Sequence, residues 1–133
     1  MKKISKEHIA LIQLRTALEL FNTKNYIAAI TLAGAAEEIL GQLSKSLNRS
    51  NDMELTKFMF RMTFPEYDYQ EERLRIRNEL KHHTPGHDSL EYDNFRMTAI
   101  THISGAIINY KFYKGSIPDE KIVHDYCTAI GLS

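Results

Sequence analysis

Apolar residues recur at spacings of three and four along most of the chain, and no segment alternates strictly with period two. A helix buries a stripe at that spacing, whereas a half-buried strand needs alternation, so the expected fold class is all-α. Ser5 stands where an N-cap belongs and opens a helix predicted over Lys6 to Phe21. Its wide apolar face is Ile9, Leu11, Ile12, Leu14, Ala17, Leu18, Leu20 and Phe21. Asn22 to Asn25 reads as a polar turn. A second helix is predicted from Tyr26 to Leu47, with Ile30, Ala33, Ala36, Leu40, Leu43 and Leu47 on one side. Its middle is slim, built from Ala28, Ala29, Ala33, Gly34, Ala35 and Ala36. Gly34 costs ~1 kcal/mol against alanine in a helix, so the close approach of a neighbour is its expected reason.

Three later pairs have the spacing of a capping box: Asn51 with Glu54, Asp68 with Glu71 and Asp88 with Glu91. The first opens a short helix with Leu55, Phe58, Met59 and Met62, stopped by Pro65. The second opens a segment from about Tyr69 to His83, ended by Thr84-Pro85-Gly86 because proline disfavours the helical state before it. The third opens a helix from Ser89 to about Tyr113, with Gly115 as terminator. Pro118 suits the first turn of a last helix bearing Ile122, Val123, Tyr126 and Ile130. Short turns between these helices predict an antiparallel helical bundle of about four main helices plus short additional ones. Residues 1–133 read as one domain. The first two helices resemble a tetratricopeptide pair, but the absence of a second copy argues against a solenoid.

Charge narrows the function. There are 17 Lys and Arg against 17 Asp and Glu, with 6 His, so the formal net charge is zero. A protein that coats nucleic acid needs a basic excess to neutralise phosphates, so any phosphate chemistry here belongs to a small local site. The single cysteine, Cys127, excludes an internal disulfide framework and cysteine-rich zinc modules, and reads as a small apolar residue. The first residues carry no apolar run of a signal peptide, and nowhere do about 18 apolar residues follow one another. The expectation is a cytoplasmic protein with no membrane contact.

The charges are unevenly spread. Arg73, Arg75, Arg77, Lys81, His82 and His83 face only Glu79 between residues 73 and 83. Cations gathered toward a helix C-terminus follow the helix dipole, and a solvated face would look the same. Arg77 and His82, however, end this run beside a Pro-Gly break, where loops commonly carry sites. Five residues on a regular helix separate two side chains by about 140° and about 7.5 Å along the axis. Convergence of Arg77 and His82 therefore requires a loosened last turn, or a phosphate at an edge both can reach. Of the adjacent carboxylates Glu37 and Glu38, one facing inward would want a cationic partner, with Arg77, Arg75 or His82 as candidates.

These segments together resemble the HEPN domain family. Arg77-Asn78-Glu79-Leu80-Lys81-His82 matches the family's pattern of Arg, a polar residue, further residues and His. The Asn25-Tyr26 start and the alanine-rich run to Glu37, Glu38 and Leu40 look like its second helix. The resemblance spans about Lys6 to Tyr113 and leaves out the tail, including the helix near 118–130. It implies a homodimeric, metal-independent endoribonuclease linked to toxin–antitoxin or defence systems. An antitoxin or nucleotidyltransferase-type protein is the implied partner, RNA or a nucleotide the ligand, and no cofactor is needed. Some relatives lack the motif and act only as binding or assembly modules, which is the rival reading.

The implied chemistry is coherent. RNA carries its own nucleophile, the ribose 2′-OH, so cleavage needs a base, an acid and positive charge on the phosphoryl oxygens. His82 is of the residue type suited to either proton role. Arg77 suits paired hydrogen bonds to phosphate, and Asn78 can support either of them. Lys81, His83 and Arg75 are expected substrate contacts, with Glu37 and Glu38 as auxiliary residues. A two-fold dimer would bring two motif copies to one cleft. Among alternatives, Glu79-x-x-His82 is half of a di-iron motif without its second copy. His82, His83 and His87 offer no clear metal geometry. His8 and His102 read as packed or surface residues. The surplus of Phe58, Met59, Phe60, Met62 and Phe64 over one helical face suggests a dimer or partner surface.

Overall fold

The structure, a computed structural model, describes residues 1–47, 69–92 and 94–131. The capping box at Asn51, the short helix after it, Asp68 and the Phe58–Phe64 cluster lie outside the described residues. Every regular element among those described is helical: α1 (Lys6–Asn22), α2 (Tyr26–Ser46), α3 (Tyr69–Lys81), α4 (Phe95–Lys114) and α5 (Glu120–Ala129). They pack as an all-α helical bundle.

The Ser5 hydroxyl accepts from the His8 amide at 3.0 Å and so caps α1 as its sequence predicts. Ala10, Leu14, Ala17, Leu18 and Phe21 form the buried stripe. Ile12, expected on that face, is 48% exposed, because it sits two residues from Ala10 and so on the far side of the helix. A short turn, with Lys24 in the left-handed region at φ 63°, returns the chain into α2. Helix α2 is the centre of the bundle. It packs most extensively on α4 and then α1, while α3 lies across both α2 and α4. Its small residues permit this, since Ala29, Ala33, Gly34, Ala36 and Gly41 are all buried.

Two expected boundaries move. Helix α4 starts at Phe95, not Ser89, and Asn94 caps it by accepting from the Met97 amide at 3.0 Å. The Asp88–Glu91 pair lies instead in a loop, where the Glu91 carbonyl accepts from Arg75 Nη2 at 2.7 Å and Tyr92 stacks on Phe95 at 3.9 Å. That tertiary bond holds the segment outside the helix. Pro118 likewise precedes α5, because Asp119 is left-handed at φ 45° and helix begins only at Glu120. Gly115 ends α4 as expected, left-handed at φ 82°, with its amide on the Lys111 carbonyl at 2.7 Å.

Helix α5 docks through Val123, Tyr126 and Ile130. The buried Tyr126 hydroxyl donates to the Ile100 carbonyl at 3.1 Å and accepts from Ser104 Oγ at 2.9 Å. Its ring meets Phe21 edge-on at 5.3 Å. Among the described residues, no helix is long and apolar enough to cross a membrane.

Candidate functional site

Three charged or polar side chains meet inside the bundle, one from each of three helices. Glu37 of α2, Arg73 of α3 and His102 of α4 are all buried. Each stands at an in-phase position of its helix: Glu37 with Ile30, Ala33, Leu40 and Ser44, Arg73 with Ile76 and Leu80, His102 with Ala99 and Ala106. The Arg73 guanidinium donates from Nη2 to Glu37 Oε1. The same Nη2 lies 2.9 Å from His102 Nδ1, which is 3.0 Å from Glu37 Oε1. His102 Nε2 faces the Arg73 backbone carbonyl at 3.2 Å.

One protonation pattern satisfies both bonds of Arg73 Nη2 and leaves Nδ1 and Oε1 side by side as its two acceptors. A carbonyl only accepts, so Nε2 carries the imidazole proton and donates to it. Nδ1 then accepts one Nη2 proton of Arg73 while Glu37 accepts the other. The imidazole is therefore neutral. Burial and the adjacent Arg73 charge both push the His102 pKa below its ordinary value of 6.5. Burial is the largest influence on Glu37 and raises its pKa, but the His102 and Arg73 side chains set against it hold the carboxyl below 4.5. Asn109 Nδ2 also donates to the Glu37 backbone carbonyl at 3.0 Å, tying α4 to α2.

Both depressed values act in the same direction on stability. The unfolded chain takes up a proton on His102 near pH 6.5 before the folded chain does, and on Glu37 near pH 4.5. Stability should be flat above about pH 7.5 and fall below pH 6.5, by at most about 1.4 kcal/mol per pH unit for each group. Urea midpoints between pH 5.5 and 7.5 would check this. The fall should be smaller in His102→Gln, and an equal fall in both proteins would remove His102 as its source.

The expected partners of an inward-facing glutamate are thus corrected. Glu37 faces inward and Glu38 is exposed, but the cation on Glu37 is Arg73 rather than Arg77, Arg75 or His82. Arg75 is half-buried and bonded to the loop at Glu91. Arg73 is masked in the sequence because a charge run looks like a solvated face, and His102 reads there only as a packed or surface residue. Their phase with Ile76 and Ala99 was the available signal.

Arg77 follows Arg73 by one turn. It is half-buried, and its aliphatic stem lies on Gly34 of α2. Its Nε is buried and has no hydrogen-bond partner among the described residues. Asn78, Lys81, His82 and His83 are exposed. The His82 amide still bonds the Asn78 carbonyl at 3.2 Å, so the last turn of α3 stays helical instead of loosening. Arg77 consequently leans onto α2, while His82 leaves the end of α3 toward solvent. Beyond it, His87 Nδ1 lies 3.7 Å from Glu79 Oε1 and His83 Nε2 lies 3.8 Å from Asp88 Oδ1. Among the described residues, no three His, Cys, Asp or Glu side chains gather as a metal site would require. No protein-family model matches the chain, and comparison with characterised proteins and with solved structures gives no match either.

Proposed function

We propose that this protein is a metal-independent endoribonuclease of the HEPN type, working in the cytoplasm as a homodimer. The observation that carries the reading is the C-terminal half of α3. There the half-buried Arg77 has a buried Nε–H without an acceptor among the described residues, and the exposed His82 follows just past the last residue of the helix. A phosphodiester oxygen would meet the outer edge of this half-buried guanidinium, beyond the buried Nε. In the reaction, the ribose 2′-oxygen bonds to phosphorus as its proton leaves to a base. The bond to the 5′-oxygen breaks as that oxygen gains a proton, leaving a 2′,3′-cyclic phosphate and a 5′-hydroxyl. Arg77 and His82 point to different sides of one helix, so a second copy of the chain would supply the other proton-transfer group. Asn78, Lys81 and His83 are the exposed neighbours available to the RNA backbone, and Arg75 braces the adjoining loop.

The same divergence of Arg77 and His82 favours a second reading, a non-catalytic module that binds RNA or a nucleotide at Arg77. An assay on a mixed RNA pool with EDTA separates the two. Wild type is expected to cut, and Arg77→Ala and His82→Ala to cut roughly a hundredfold more slowly, the lower end of what general acid–base groups contribute. Equal cutting by all three proteins would sink the nuclease. RNA retention without cutting, lost in Arg77→Ala alone, would support the binding module.

A further inference from the structure

We propose that Gly34 is a positioning residue, whose missing side chain forms the seat that fixes Arg77 for an oxyanion such as phosphate. This rests on the reading of Arg77 as the phosphate ligand and deepens it. Gly34 sits among Ala33, Ala35 and Ala36 in the middle of α2, where alanine is the better helix former. Its backbone lies outside the left-handed region, so conformation does not demand glycine there. Space does. A Cβ on Gly34 would stand 2.8 Å from Arg77 Cδ and 3.1 Å from its Cγ, closer than packed carbons approach.

Gly34 has a second neighbour. His102 Nδ1 is 3.8 Å from the same Cβ position, and His102 is held by Arg73 and Glu37. Gly34 thus has the Arg77 stem and the locked imidazole as its two side-chain neighbours. The Arg77 stem packs on Gly34, and the buried Nε has no acceptor among the described residues. An arginine immobilised in this way loses less rotamer freedom on binding than a free one.

Gly34→Ala changes no chemical group of the site, which makes it a clean probe. A double-mutant cycle reads the packing without any ligand. In an Arg77→Ala background, Gly34→Ala should raise the thermal midpoint, because alanine is the better helix former and nothing remains to clash. In the wild-type background, the rise should be smaller or reversed. Equal shifts in both backgrounds would overturn the seat.

The second measurement follows the Arg77 Nε–Hε resonance during titration with inorganic phosphate. Wild type should shift, and Gly34→Ala should need at least tenfold more phosphate. A wild-type resonance indifferent to phosphate, or identical titrations, would also overturn the proposal. Should phosphate bind as expected while wild type leaves the RNA pool intact, the nuclease reading fails and the seat stands. Should wild type and Gly34→Ala cut RNA with the same kcat and KM, the seat fails and the nuclease stands.

Discussion

Arg73→Met is expected to destabilise the protein by roughly 3–5 kcal/mol, the usual cost of removing one partner from a buried ion pair. The loss comes less from the bond than from what remains. Glu37 would keep its place among Ala33, Leu40 and His102 with no cation, and would have to protonate or draw water inward. His102 would lose its donor on Nδ1 as well. Arg73 is among the largest fully buried side chains, so methionine also leaves part of its volume empty. Urea unfolding near pH 7.5 measures the effect. Adding Glu37→Leu should recover much of the loss, since an apolar replacement of a whole buried pair is often neutral. A cost below about 1 kcal/mol for Arg73→Met alone would mean that Glu37 is not held as an ion in the folded chain.

Gly105→Ala is expected to cost roughly 3 kcal/mol, at the high end for overpacking. A Cβ on Gly105 would collide with Glu37 Oε2 and fall 2.8 Å from its Cδ, so the carboxylate must leave its position. Moving it breaks contacts with both Arg73 and His102. The Gly105→Ala/Glu37→Ala pair separates this from a plain helix effect. With the carboxylate gone, the alanine fits and its better helix propensity should appear as a gain relative to Glu37→Ala. Calorimetry on the four proteins checks the sign. A similar loss from Gly105→Ala with and without Glu37 would show that the clash is not with the carboxylate.

The sequence made most of the scaffold legible. The apolar period located α1 and α2 to within one residue at each end, because caps and turns there agree with the tertiary packing. It misplaced the start of α4, since the Asp88–Glu91 spacing of a capping box says nothing about Arg75 bonding the Glu91 carbonyl from another helix. It placed Pro118 inside α5 because Asp119 gives no local sign of a left-handed backbone. Gly34 was read as a close-packing position, and a neighbour does lie on it, although which side chain fills the space depends on how α3 crosses α2. The buried triad was hidden for the same reason. Helical phase marks Glu37, Arg73 and His102 as core positions, but periodicity along each helix does not say that the three meet.

His102 has a consequence beyond accepting from the Arg73 guanidinium. Its two nitrogens contact both the guanidinium and the main-chain oxygen of Arg73. In a regular helix, that oxygen is also the acceptor for the amide four residues later, at Arg77. The ring on α4 thus gauges the depth and rotation of α3 from its backbone. A displacement of α4 would reach the peptide that carries Arg77 directly, with no side-chain rearrangement needed to transmit it.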